Sequence, residues 1–293
     1  MRHAFVRACR ASLHQARHGG RHDVAMVTTP GSRRVAEGML VLSAGTLACA
    51  TVMVPPGPGS PVRALVMVVV AAALVIGAAV WRSAPAVRAA AVVSTVLVIF
   101  AGSAWLGVGP VVTAVAVSVL PVLVLVSLQR HTAWQPALPW LRVGRLDPWV
   151  WVLAAVTILL AAAALTSFAV LVRPEVSPYL MMLRSMPTWL ALVGVVGFAV
   201  VNPVWEELLY RGVLQSELAA TIGSWPAVVV QAVLFGLSHL YGFPSGWLGV
   251  VMAATWGFGL GVIRRRTGGV VIPYLVHVAA NLTIGALAVV LLR

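Results

Sequence analysis

Apolar runs separated by short breaks of Gly, Pro and Arg dominate the 293-residue chain. They lie at roughly 38–54, 64–81, 87–107, 109–128, 148–171, 188–205 with a continuation to about 220, 225–241, 246–263 and 269–292. Runs of ~17 to 24 residues are long enough for a helix to cross a hydrocarbon core about 30 Å thick. The pattern predicts an all-α fold, a polytopic integral membrane helix bundle with about eight or nine transmembrane helices. "PPGPGSP" after the first run and "GVGP" at 107–110 read as tight turns. Trp81, Trp105, Trp149, Trp151, Trp189, Trp225 and Trp247 fall near run ends, where an aromatic belt belongs.

Composition sharpens this picture. The chain is 61% hydrophobic and 9% charged, with 20 basic residues against 7 acidic ones, and every basic residue is Arg. That usage points to a GC-rich bacterial genome. A formal charge of +13 raises nucleic acid as a partner, but the Arg sit at the ends of apolar runs without the interleaved aromatics of a stacking surface, so no nucleic acid is expected. The lipid bilayer accounts for them. With the N-terminus in the cytosol, the inside segments collect Arg82, Arg88, Arg130, Arg142, Arg145 and Arg264 to Arg266, leaving Arg63, Arg173, Arg184 and Arg293 outside. This obeys the positive-inside rule and predicts a multi-pass protein of a bacterial plasma membrane.

Residues 1–36 read as a basic, disordered cytosolic tail; Met26 is an alternative start, and no signal-peptide pattern follows. His3, His14, His18 and His22 are too irregularly spaced there for a metal tract. Residues 37–187 form an N-terminal set of helices, in which "RPEVSPYLMMLRSMP" at 173–187 is amphipathic enough to lie on the outer surface. Cys9 and Cys49 make no disulfide framework.

Candidate chemistry concentrates in 188–293. Glu206, Glu207, Arg211, His239, His277 and Asn281 all lie in or beside apolar stretches, where ionisable groups are costly and by default functional. Residues four apart share a helix face, which pairs Glu207 with Arg211 and His277 with Asn281. Glu206 then points about 100° away, with no cation within a turn. In an apolar cavity its neutral form is favoured, which suits a group that takes a proton from water and returns it to a leaving amine. Asn202 and Pro203 just upstream are expected to bend or break the helix.

Counting from turns brings these residues together. Glu206 lies 17 residues before Gly223 and His239 lies 16 after it, so both sit about 25 Å from the turn of a helical hairpin. His277 and Asn281, 9 and 13 residues after Gly268, reach a similar level. Spacing alone leaves proton transport and ion binding open beside catalysis. No GxSxG, HExxH or Walker pattern is present, and "GFGLG" within a span is not a nucleotide loop.

"EELLYR", "FGLSH" and "GFGLGVIRRRTGGVVIPYLVHVAANL" together resemble the CPBP (CAAX protease and bacteriocin-processing, Abi-like) family of intramembrane endopeptidases, which carries EExxxR, FxxxH and HxxxN or HxxxD on successive helices. The resemblance covers about residues 188–293, which it marks as the catalytic domain. It implies Glu206 as the catalytic carboxylate, activating water with His239, with Glu207 and Arg211 supporting and His277 and Asn281 holding the oxyanion. The implied substrate is a membrane-associated protein or peptide. No cofactor is favoured. Zinc on Glu206, His239 and His277 is the alternative, but it would hand base duty to Glu207, already assigned to Arg211. A non-proteolytic scaffold on the same fold, or a proton-coupled transporter using Glu206 and His239, are the rival functions.

Overall fold

The computed structural model describes residues 30–52, 61–172 and 186–292. The chain divides into units of residues 1–33 and 34–293, and the architecture below is that of the second. The tail histidines, Cys9 and the 173–185 segment lie outside the described residues.

Every apolar run becomes a helix, within a few residues of its expected limits. α1 spans Pro30–Val52, α2 Pro61–Trp81, α3 Ala84–Leu106, α4 Pro110–Gln129 and α5 Pro148–Leu171. α6, Thr188–Glu206, continues through a π-helical stretch, Glu207–Leu214, into α7, Gln215–Ile222. α8 is Ser224–Leu237, α9 Gly246–Thr267 and α10 Val271–Leu292. No strand occurs among the described residues. Helix already begins at Pro30, inside the stretch expected to be a tail.

Among the described residues, seven helices are long and apolar enough to cross a membrane, α6 to α7 counting as one of 35 residues. The chain is a multi-pass membrane protein. The two remaining runs differ for visible reasons. α8 has 14 residues, about 21 Å of helix, and α1 carries Arg33, Arg34 and Glu37 near its start.

Local chemistry sets the ends. Pro occupies the first turn of α3, α4 and α5, where its missing N–H costs nothing. The Asp147 side chain caps α5 by accepting from the Val150 N–H at 3.1 Å. Gly268, at φ 73°, closes α9 in the left-handed region and returns its N–H to the Arg264 carbonyl.

One end of the bundle is tied by Arg. Arg88 of α3 grips Glu217 of α7 through Nε and Nη2 at 2.5 and 2.6 Å, and its Nη1 donates to the Trp134 carbonyl at 2.9 Å. The α4–α5 connection lies over the α9–α10 turn, with the Arg145 N–H on the Thr267 carbonyl and the Val270 N–H on the Trp140 carbonyl. Arg142 Nε donates to the Gly268 carbonyl at 3.0 Å, and Arg266 pairs with Asp147. Arg265 donates to Ser224 Oγ and lies over the Trp225 ring. Gly223 and Gly268 therefore share this end, as the hairpin count requires. Trp140 is buried beneath it against Gly212, where a Cβ would come within 2.7 Å of the indole ring.

Candidate active site

The site is built where α6 changes register. The helix runs unbroken through Asn202 and Pro203, contrary to expectation, and the irregularity comes four residues later as the π-helical stretch Glu207–Leu214. The Glu207 N–H still reaches the carbonyls of Pro203 and Val204, so the bond lost at Pro203 does not open the chain. Beyond it the turns widen, and the Gln215 N–H bonds back to the Tyr210 carbonyl, five residues away. Such insertions gather at functional sites. All residues from Glu207 to Leu214 are buried.

Glu207 and Arg211 form the ion pair their spacing predicts, Nη1 to Oε1 at 2.9 Å, with both side chains almost wholly buried. The guanidinium lies 4.3 Å from the Phe235 ring centroid, and Nη2 approaches the Gly257 carbonyl at 3.4 Å. The same Glu207 Oε1 is 2.8 Å from His277 Nδ1. An ionised carboxylate only accepts, so Nδ1 carries the proton and the imidazole of α10 is pinned to α6.

Glu206 is less free than its spacing implied. Asn202, one turn back, donates Nδ2 to Oε1 at 3.1 Å, and Trp205 Nε1 in turn reaches Asn202 Oδ1 at 3.3 Å. Oε2 faces His277 Nε2 at 3.3 Å without the alignment of a hydrogen bond, and is buried. His277 thus stands between both carboxylates, where the resemblance had it beside Asn281 as an oxyanion donor. Asn281 remains available, its Nδ2 buried and without a hydrogen-bond partner among the described residues. The rings of Phe235 and Trp256 stand edge-on to His277 at centroid distances of 6.0 and 6.1 Å.

His239 sits just past the end of α8, in a turn closed by bonds from its N–H to the Gly236 carbonyl and from the Gly242 N–H to its own carbonyl. Its Nδ1 is 2.9 Å from the Phe235 carbonyl. A carbonyl cannot donate, so Nδ1 bears the proton and Nε2 keeps its lone pair. No hydrogen bond joins His239 to Glu206 among the described residues. They meet instead as walls of one cavity of about 1050 Å³, which Glu206, His239, His277 and Asn281 all line. Its remaining lining is mainly apolar, with Asn202, Trp205 and Tyr210 beside the carboxylate.

Among the described residues, no three His, Cys, Asp or Glu side chains are grouped to hold a metal ion. One His277 nitrogen bonds Glu207 and the other faces Glu206, and no hydrogen bond joins His239 to either carboxylate among the described residues.

Sequence spacing missed Asn202 as anything but a helix breaker, although it stands four residues before Glu206, the spacing that found the other pairs. It also missed the bridging role of His277.

The sequence that carries the site has a counterpart among known proteins. Residues 187–283 match the type II CAAX prenyl endopeptidase Rce1-like family. The resemblance read from the motifs is thereby borne out for this segment, and the Rce1-like match covers every residue of the cavity site named above from Asn202 to Asn281. The chain is 33% identical over 94 residues to the uncharacterized protein YpbD of Bacillus subtilis (strain 168), a stretch that makes up 32% of this chain. It spans 42% of that relative's length, less than half. No solved structure matches the chain.

Proposed function

We propose that the chain is an intramembrane endopeptidase that hydrolyses a peptide bond of a membrane-associated protein or peptide. One observation carries the reading. Glu206, with a carboxylate oxygen that makes no aligned hydrogen bond, His239, with an imidazole nitrogen that keeps its lone pair, and Asn281, with an amide donor lacking a partner among the described residues, all line a single cavity. Its Rce1-like match supports the same reaction class.

In this mechanism water sits against Glu206 Oε2 and His239 Nε2. Glu206 takes its proton as the oxygen attacks the scissile carbonyl carbon, and the developing oxyanion accepts from Asn281 Nδ2. Collapse of the tetrahedral intermediate breaks the C–N bond, and the proton passes from Glu206 to the leaving amine. General base catalysis of this kind is worth about 10²–10⁴ in rate, and one oxyanion donor about 10²–10³. Asn202 holds Oε1 so that Oε2 faces the water, while Glu207 and Arg211 anchor His277 behind the carboxylate.

The Arg-tied end faces the cytosol of a bacterial plasma membrane in this reading, with the N-terminus on the same side. The α8–α9 connection and the start of α2, at the other end of the bundle, frame the cavity mouth, which then opens extracytoplasmically.

The test is membrane peptidomics on cells carrying wild type beside Glu206→Gln at matched abundance. New peptide termini that depend on Glu206 are expected. Identical profiles with the phenotype retained would transfer the case to a scaffold, and uptake driven by a pH gradient in proteoliposomes would transfer it to a transporter.

A further inference from the structure

We infer that Arg63 is a substrate-binding residue that takes a peptide carboxylate at the cavity mouth, an inference that rests on the peptidase reading. Arg63 lies in the first turn of α2, at the end of the bundle opposite the Arg-tied turns, and lines the same cavity as Glu206 and His239. Its side chain is half-buried, and its Nε has no hydrogen-bond partner among the described residues. No ion pair joins it to a carboxylate among the described residues, whereas Asp147, Glu207 and Glu217 are each engaged by another Arg. Its electrostatic neighbour is Tyr241, two residues beyond His239 and also in the cavity wall.

An unpaired Nε on a half-buried guanidinium in a largely apolar wall leaves a donor that a ligand can complete. The planar guanidinium matches a carboxylate with paired hydrogen bonds, and charge-assisted bonds of this kind are the strong ones. A cavity of about 1050 Å³ has room for a peptide segment as well as its anion. The carboxylate comes from a chain terminus or from an acidic side chain. In either case the segment that bears it runs from Arg63 past Tyr241 towards His239 and Glu206.

The inference is tested by binding, separately from cleavage. The full chain carrying Glu206→Gln, in phosphatidylcholine nanodiscs, is titrated with a dye-labelled apolar peptide as its free acid, its C-terminal amide, and an amide bearing one Glu. Either carboxylate form is expected to bind about tenfold tighter than the neutral amide, as one charge-assisted bond gives. Whichever form does so names the source. Adding Arg63→Gln removes the preference, and Arg63→Lys retains part of it, with melting temperatures unchanged.

Equal binding of acid and amide, no binding of any form, or a preference that survives Arg63→Gln would overturn the inference. So would loss of the acid's advantage when soluble glycerophosphocholine is added as a competitor at fixed ionic strength, which would identify a lipid phosphate as the anion. Cleavage by the wild-type chain is followed by mass spectrometry. A carboxylate preference without cleavage sinks the peptidase reading and leaves the Arg63 site standing, and cleavage without the preference does the reverse.

Discussion

Arg211→Met tests the charge bookkeeping of the buried cluster. Arg211 is fully buried and bonded to Glu207 at 2.9 Å, so its loss leaves Glu207 ionised in an apolar interior with only His277 to face it. Breaking a buried pair from one side costs about 3–5 kcal/mol, since the remaining charge is uncompensated. Loss of the contact with Phe235 adds about 0.5–2 kcal/mol. At roughly 2–4 °C per kcal/mol for a domain of moderate size, the melting temperature falls by on the order of 10 °C. The measurement is thermal unfolding in detergent, read as the monodisperse fraction after heating. Glu207→Gln combined with Arg211→Met removes both charges, and is expected to recover much of the loss because neutral residues need no counter-charge. A single variant as stable as wild type, or a double variant worse than the sum of its parts, would refute the cluster's assignment as a compensated pair.

Other outcomes follow from the geometry. Asn202→Ala removes the donor to Glu206 Oε1 and should lower kcat by about tenfold with KM and melting unchanged, measured on the substrate that peptidomics supplies. Asn281→Ala should lower kcat by about 10²–10³, as loss of an oxyanion donor does. Gly212→Val drives side-chain atoms into the Trp140 ring and should destabilise by about 1–3 kcal/mol, with Trp140→Ala relieving part of the cost in a double-variant melt. Desolvation, the largest single influence, pushes the Asp147 carboxyl up, but the Arg266 guanidinium and the Val150 and Trp149 N–H groups together outweigh it and hold it below its ordinary 3.8. A lowered folded value means stability that is fully present above about 3.8 and lost as pH falls through the folded value, so melting curves of wild type and Asp147→Asn should converge only in strong acid.

What the sequence made legible was local. Apolar run lengths predicted the helices because a bilayer demands about 20 residues whatever their neighbours are, and a spacing of four found Glu207 with Arg211 because both belong to one helix. Counting from Gly223 and Gly268 correctly brought α6, α8 and α10 to a common depth. It did not reveal that His277 enters between the two carboxylates. That contact joins residues 70 apart, and depends on the rotation of α10 about its axis, which no count from a turn specifies. The π-helical stretch was invisible as well. Leu208 to Leu214 include Gly212, a weak helix former, but no proline, and a glycine alone does not distinguish a wider turn from a regular one. Arg63 was legible only as a charge outside the positive side, because its lack of a partner is a property of the assembled cavity.

The change of register at Glu207 has a consequence for how this chain tolerates length changes. A π-helical insertion is equivalent to one surplus residue in an α-helix. Deleting one residue between Leu208 and Val213 would let the helix run on regularly, so local propensity favours the deletion. That deletion would keep the phase beyond it, because the wide turn already takes up the surplus residue, whereas one further residue inserted there would turn everything beyond by about 100° relative to Asn202 and Glu206. Glu217 would swing off Arg88, and Gln215 off the Gly261 carbonyl it now reaches at 2.9 Å. The helix is therefore two phased segments spliced at Glu206 and Glu207, each indexed to a different set of neighbours. Insertions in this stretch are expected to be eliminated by selection more readily than the deletion of one residue.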